Sequence, residues 1–222
     1  MSWLAEAWAI FAKEWRCELR TRYALNTVGL FAFTTLVTVS LTVGPVGSSE
    51  EMRPILPTLL WLVLLFAASA GLPRTFVHEE ETKSADALRL AADPSALFCG
   101  KVLYNLSLIV LLEILVVPLF LGMLGLEVAS PVDLLLAMAA GGAGLAVGST
   151  LIAAIVGQAR ARGPLFAVLA FPVLLPLLKL AIDASLGAVL GEPAQMAIML
   201  SFLYDSMLMV AGLMLFPAIW NP

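Results

Sequence analysis

The residues that could perform catalysis are few, and their spacing completes no active site. His78-Glu79-Glu80-Glu81-Thr82 begins like the HExxH motif of zinc proteases, but Thr82 stands where the second histidine is needed. Because the chain has one histidine, a two-histidine zinc site cannot form. Neither GxSxG nor the phosphate-binding motif GxxxxGK(S/T) occurs. We therefore expect a non-catalytic chain with no metal and no directly bound cofactor.

Four ionisable residues lie inside apolar stretches: Glu113, Lys179, Asp183 and Asp205. Such groups are costly in lipid and often mark ion or substrate routes. Lys179 and Asp183 are one helical turn apart, a spacing that permits an ion pair. The four residues could line a substrate route, or form buried pairs that fix helix packing. Aspartyl hydrolysis, a third possibility, would require Asp183 and Asp205 to meet.

The segment 74–101 carries a short predicted helix between two apolar stretches. The Ser84 hydroxyl can cap a helix over 85–92, and Asp93-Pro94 ends it while Asp93 can cap the next helix. This helix could be a solvated loop segment or a docking site for a cytoplasmic partner. The candidate docking residues are Glu79, Glu80, Ala85, Leu88, Arg89 and Ala92.

A glycine pattern in another apolar stretch points to close helix packing. Gly144 and Gly148 form a GxxxG motif, which lets a second backbone approach. Packing within the chain and dimerisation both fit this motif.

These residues must be positioned by helices that cross a membrane. Hydrophobic residues make up 61% of the 222 residues and charged residues 13%, whereas soluble domains carry roughly 25% charged residues. Six stretches have the length and apolar character of a membrane span. They cover residues 25–43, 55–72, 102–126, 134–156, 165–186 and 196–220. The sequence therefore predicts a single all-α integral membrane domain of six transmembrane helices.

Residues 1–24 are predicted to form an amphipathic helix that lies at the membrane interface and is retained. Its apolar side chains recur every three or four residues. They are Leu4, Trp8, Phe11, Trp15 and Leu19. This helix could be an anchor alone or could also contact a partner.

The basic residues predict the orientation of the spans. Ten of the 12 lysines and arginines lie before the first span, in 74–101, or between the fourth and fifth spans. The positive-inside rule makes this side cytoplasmic, with both termini in the cytoplasm. No basic cluster suits nucleic acid.

Several blocks in order give the sequence a family resemblance. They include Ser40-Leu41-Thr42-Val43-Gly44-Pro45, Leu59-Leu60-Trp61-Leu62, Arg74-Thr75-Phe76-Val77-His78-Glu79-Glu80-Glu81, Ala87-Leu88-Arg89-Leu90, Gly144-Leu145-Ala146-Val147-Gly148 and Phe171-Pro172-Val173-Leu174-Leu175-Pro176. With these blocks the chain resembles the haem exporter protein B (CcmB) family of bacterial cytochrome c maturation. It departs from the family pattern at Leu88-Arg89, where a leucine–glutamate pair is usual, and at Lys83-Ser84, where glycine is common.

The resemblance implies the permease subunit of an ABC-type complex in the bacterial inner membrane. It implies a homodimer in which each copy seats its short cytoplasmic coupling helix, between spans two and three, on the ATPase CcmA. It also implies CcmC, CcmD and the haem chaperone CcmE as partners, ATP used through the ATPase, and haem as a possible substrate of the complex. The alternative is a self-contained secondary transporter or channel that uses the buried ionisable residues.

Overall fold

The chain folds into an all-helical bundle. The computed structural model describes residues 2–44, 51–72, 76, 88, 92–157 and 162–220, with side chains from residue 168 onward in the last range. The helices are α1 (Trp3–Thr21), α2 (Tyr23–Val43), α3 (Leu56–Gly71, after a 3-10 turn Arg53–Ile55), α4 (Pro94–Leu124), α5 (Pro131–Gly157), α6 (Arg162–Leu190) and α7 (Gln195–Trp220). Across this described part there is no strand.

Six of these helices, α2 to α7, are long and apolar enough to cross a membrane, which confirms the predicted six-span, all-α class. Helix α5 is the most buried, and α3, α4, α6 and α7 all pack against it. Its glycines leave room for side chains of neighbouring helices, such as Trp61 beside Gly141. A glycine- and alanine-rich helix therefore forms the centre of the bundle.

Helix α4 begins eight residues before the apolar run that predicted it. Asp93 caps it, as expected, by accepting hydrogen bonds from the N–H groups of Ser95 (2.8 Å) and Ala96 (3.4 Å). The hydrogen bond from the Ser95 hydroxyl holds the pKa of Asp93 below its ordinary value. At 31 residues, α4 is about 46 Å long, and so exceeds a hydrocarbon layer of roughly 30 Å. One end of α4 therefore extends beyond the bilayer core.

The two ends of the bundle differ in what they join. One end contains α1, the start of α4 and the last turn of α7. It is called the connector end here, after the connector, the segment 73–93 that links α3 to α4. At the opposite end, Ser130 N–H donates to the Ala188 carbonyl at 2.9 Å, and Arg53 Nη2 lies 3.4 Å from Glu127 Oε2. Short connections thus close that end.

Helix α1 is a separate helix, but its contacts differ from those of a simple surface anchor. The chain turns into α2 at Arg22, whose φ of 53° lies in the left-handed region. On the predicted apolar face, Leu4, Trp8 and Leu19 are exposed, but Phe11 and Trp15 are partly buried against the bundle core. The side that carries Ala7, Ile10 and Glu18 is buried, and α1 packs mainly against α4. Helix α1 therefore turns only part of its apolar face outward.

Candidate functional site

Polar groups join α1 to the first half of α4, at the connector end. The contacts are Trp3 Nε1 to Ser95 Oγ (2.7 Å), the Asp93 N–H to Glu6 Oε2 (3.3 Å) and Trp15 Nε1 to Ser107 Oγ (2.9 Å). They follow one side of α1 along its length. Helix α1 is thus held to α4 in a defined register.

A buried ion pair lies in the middle of this contact. Lys101 Nζ is 3.0 Å from Glu14 Oε1, with side-chain exposures of 0% and 11%. Lys13 reaches the same oxygen at 3.3 Å from a side chain that is 39% exposed. Lys101 Nζ also lies 4.7 Å from the ring centroid of Phe76, within cation–π range. Lys101 of α4 therefore contacts both Glu14 of α1 and Phe76 of the connector.

Glu18 extends this contact to α2. Its Oε2 accepts from the Tyr104 hydroxyl at 3.2 Å, and its Oε1 accepts from the Leu25 N–H at 2.9 Å. Nearby, an added Cβ at Gly100 would lie 2.7 Å from the Ala7 carbonyl oxygen, so only glycine permits this approach. The buried side of α1 thus fixes α1, α2 and α4 relative to one another.

Four aromatic rings form a cluster beside this contact. The aromatic cluster consists of Phe76, Phe98, Phe216 and Trp220. The centroids of its neighbouring rings are 5.4–5.9 Å apart, the usual range for packed aromatic pairs. The cluster joins the connector, α4 and α7, and side chains of α1 and α5 pack in the same apolar core.

Of the candidate docking residues, Leu88 and Ala92 lie within the described part of the chain. Both are partly buried against the core that contains the aromatic cluster, and the Ala92 N–H donates to the Leu88 carbonyl at 3.1 Å, which is one helical turn. Glu79, Glu80, Ala85 and Arg89 lie outside the described residues. The face shared by Leu88 and Ala92 is therefore turned toward the bundle.

The two isolated carboxyl groups in the spans lie on different sides of α5. Glu113 packs at Gly142, and Asp205 packs at Gly144 together with Leu177. Residues two apart on a helix point about 200° apart, so α5 separates the two groups. Glu113 Oε1 and both Asp205 oxygens are buried with no hydrogen-bond partner among the described residues. The four intramembrane candidates therefore do not form one patch.

Lys179 and Asp183 form the ion pair that their spacing predicts, but the pair is not buried within the chain. The side chains are 70% and 41% exposed on α6. Asp183 thus pairs with Lys179 and not with Asp205, so the structure does not bring two aspartates together.

The GxxxG motif of α5 is filled by the chain itself. A Cβ at Gly148 would lie 2.7 Å from Leu174 Cδ2, and one at Gly144 would lie 2.8 Å from Leu177 Cδ2. Both leucines belong to α6. The glycines therefore make room for α6 in the same molecule.

Sequence reasoning missed the contact between Glu14 and Lys101. In the sequence, Lys101 is one of the basic residues that precede the third span, and Glu14 is one of several charged residues before the first span. A signal was present, because Glu14 and Glu18 are one turn apart and lie on the same side as Ala7 and Ile10. Their partners, Lys101 and Tyr104, are 87 and 86 residues away and cannot be identified from helix periodicity.

The fold defines a class of protein: a multi-pass, all-α integral membrane protein whose N-terminal helix is joined to the third span by hydrogen bonds and an ion pair. The sequence matches the CcmB protein family over residues 5–219, and the chain belongs to that family. It is also similar to "Heme exporter protein B" of Bradyrhizobium diazoefficiens, with 27% identity over 184 residues, 82% of each chain.

Proposed function

We propose that this chain is the membrane permease subunit of an ABC-type complex in cytochrome c maturation. In this proposal, a separate ATPase chain of the CcmA type hydrolyses ATP, and the permease couples hydrolysis to haem handling or to release of the haem-loaded chaperone CcmE. Membership of the CcmB family and the name of the similar protein support this role. Haem is a possible substrate of the complex.

One observation carries the coupling role: Leu88 and Ala92 of the connector pack against the core that holds the aromatic cluster. A force applied to the connector by a partner would act on Phe76 and through it on Phe216 and Trp220 of α7. Lys101 lies at the same ring and pairs with Glu14 of α1. Connector motion would therefore reach α1, α4 and α7 together.

The same proposal includes the surroundings of the chain. The distribution of basic residues favours both termini and the connector in the cytoplasm, and membership of the CcmB family supports the bacterial inner membrane. Glu79 and Glu80 would face the ATPase, with Ala85 and Arg89 on the same docking helix. CcmC, CcmD and CcmE would be further partners, and two copies of this chain would form the permease.

Leu88→Asp is expected to reduce permease-stimulated ATP hydrolysis at least about tenfold. This corresponds to a loss of about 1.4 kcal/mol of coupling free energy. The carboxylate would be placed against an apolar core without a partner. The measurement is ATPase activity of the purified complex in lipid, together with membrane yield of the variant.

Leu88→Met is the matched control, because it keeps volume and apolar character and should preserve stimulation. Normal assembly and normal stimulated hydrolysis of the Leu88→Asp complex would show that this segment does not couple the ATPase to the spans.

A second candidate, a secondary transporter driven by an ion gradient, is favoured by the unpartnered carboxyl groups of Glu113 and Asp205. The permease role predicts that Glu113→Gln with Asp205→Asn keeps ATP-dependent activity within about twofold, because each amide matches the volume of the acid. Proteoliposomes holding the complex measure this. Substrate movement without any ATPase, lost in the double variant, would instead establish the secondary transporter.

A further inference from the structure

Helix α6 carries an ion pair on a face that nothing in the described chain covers. Lys179 and Asp183 lie near the middle of the apolar stretch Val168–Leu190, with their side chains 70% and 41% exposed. Charged groups in the hydrocarbon region are costly and almost always face protein or water. A mid-span pair that faces lipid would be an exception to this rule. A second protein surface or water must therefore meet this face.

The rest of the same face is also poorly suited to lipid. Pro172 and Pro176 lie on it and supply no N–H, so the carbonyls of Val168 and Pro172 lose their donors within the helix. In the bilayer, a backbone carbonyl needs a partner. Exposed apolar side chains alternate with these groups along the face. They are Val168, Phe171 and Leu175.

We propose that this α6 face, from Val168 to Asp183, is the contact surface between two copies of the chain, with Lys179 of each copy pairing with Asp183 of the other. The inference rests on the proposed permease function for the presence of two copies, and it specifies where they meet. The GxxxG face of α5 does not compete for this role because α6 already fills it.

Charge complementarity favours a second copy over a different partner. A two-fold axis brings the same face of both copies together, so residue i meets residue j and j meets i. One cation and one anion a helical turn apart make the face complementary to itself. The two positions differ by about 6 Å along the helix axis, a distance that a lysine side chain can span. Two copies would thus form a ring of four alternating charges, each with two opposite neighbours.

A charge-exchange experiment separates this pairing from the pair within one helix. Lys179→Asp makes one copy negative at both positions, and Asp183→Lys makes another copy positive at both. Mixing the two variants restores pairs between copies, while the pair within each helix stays broken. Two differently tagged variants, co-expressed with the complete complex, should co-purify at least about tenfold more as a mixed pair than as either same-sign pair. Equal recovery of mixed and same-sign pairs would overturn the proposal.

A second measurement keeps the natural charges and therefore holds even if the charge variants fail to accumulate. In a chain with Cys17→Ser and Cys99→Ala, Leu175→Cys should give a cross-linked homodimer with a short bis-maleimide. Leu203→Cys on α7 is the matched control, since Leu203 is also exposed and neighbours Tyr204, whose hydroxyl reaches the Val173 carbonyl of α6. It should give no dimer. Cross-linking at Leu175 only to a different subunit, or no cross-link there, would overturn the proposal.

The ATPase readout separates this inference from the function on which it rests. Normal ATPase binding and hydrolysis without a Leu175 cross-link would reject the interface and leave the permease role intact. A Leu175 homodimer that binds no ATPase would reject the permease role and leave the interface intact.

Discussion

Lys101→Met is expected to destabilise the protein by about 3–5 kcal/mol, because it removes one partner of a buried ion pair. Glu14 is 11% exposed, and Lys101 is the partner that lies wholly inside the contact. Methionine replaces most of the lysine stem, so the lost charge accounts for most of the effect. Thermal unfolding of the purified protein in detergent should show a midpoint lower by on the order of 10 °C.

Lys13→Met provides the control on the same carboxylate. Lys13 contacts the same Glu14 oxygen, but from a side chain that is 39% exposed, and partly exposed pairs contribute roughly 0–1 kcal/mol. Adding Glu14→Gln to Lys101→Met removes the carboxylate that has lost its buried partner and should recover much of the lost stability. Equal effects of Lys13→Met and Lys101→Met would contradict a dominant buried pair.

Gly141→Ala is expected to disturb the centre of the bundle and to destabilise it by about 1–3 kcal/mol through overpacking. The new methyl group would lie 2.6 Å from Trp61 Cζ2 and closer still to Cη2. Trp61 has little freedom to move, because it is fully buried and its Nε1 donates to Ser185 Oγ at 2.9 Å. The loss should appear as a lower unfolding midpoint and a smaller monodisperse fraction after purification.

Gly122→Ala is the matched control for the same substitution in another span. A Cβ at Gly122 meets nothing within 4 Å, and alanine is up to about 1 kcal/mol better than glycine inside a helix. Gly122→Ala should therefore be neutral or slightly stabilising. Replacing Trp61 with Phe should reduce the cost of Gly141→Ala, and an additive double variant would rule out the proposed collision.

The six spans could be predicted because crossing lipid imposes a length and an apolar composition on each helix. The Asp93 cap could be predicted for a local reason, since its side chain bonds N–H groups two and three residues ahead. The continuity of α4 from this cap into the third span could not, because Lys101 interrupts the apolar run. Glu14 neutralises that lysine from another helix.

The candidate site was predictable only in part, for the same reason. The spacing of Lys179 and Asp183 predicted their ion pair, because the two residues are one helical turn apart and the contact is local. The same spacing could not tell which side of α6 faces outward, because that depends on how α5 and α7 pack. The periodicity of residues 1–24 identified a helix, yet its buried side mixes Ala7 and Ile10 with Glu14 and Glu18, so an apolar stripe did not reveal it.

The pairing of Glu14 with Lys101 also sets an order of events while the ribosome makes the chain. The two residues are 87 positions apart, so translation at 5–20 residues per second separates their emergence by roughly 4–17 s. During that interval Glu14 has the partly exposed Lys13 as its basic partner. A nascent chain arrested before the third span would lack Lys101 and Tyr104, so Glu14 and Glu18 would not yet fix α1 against α4.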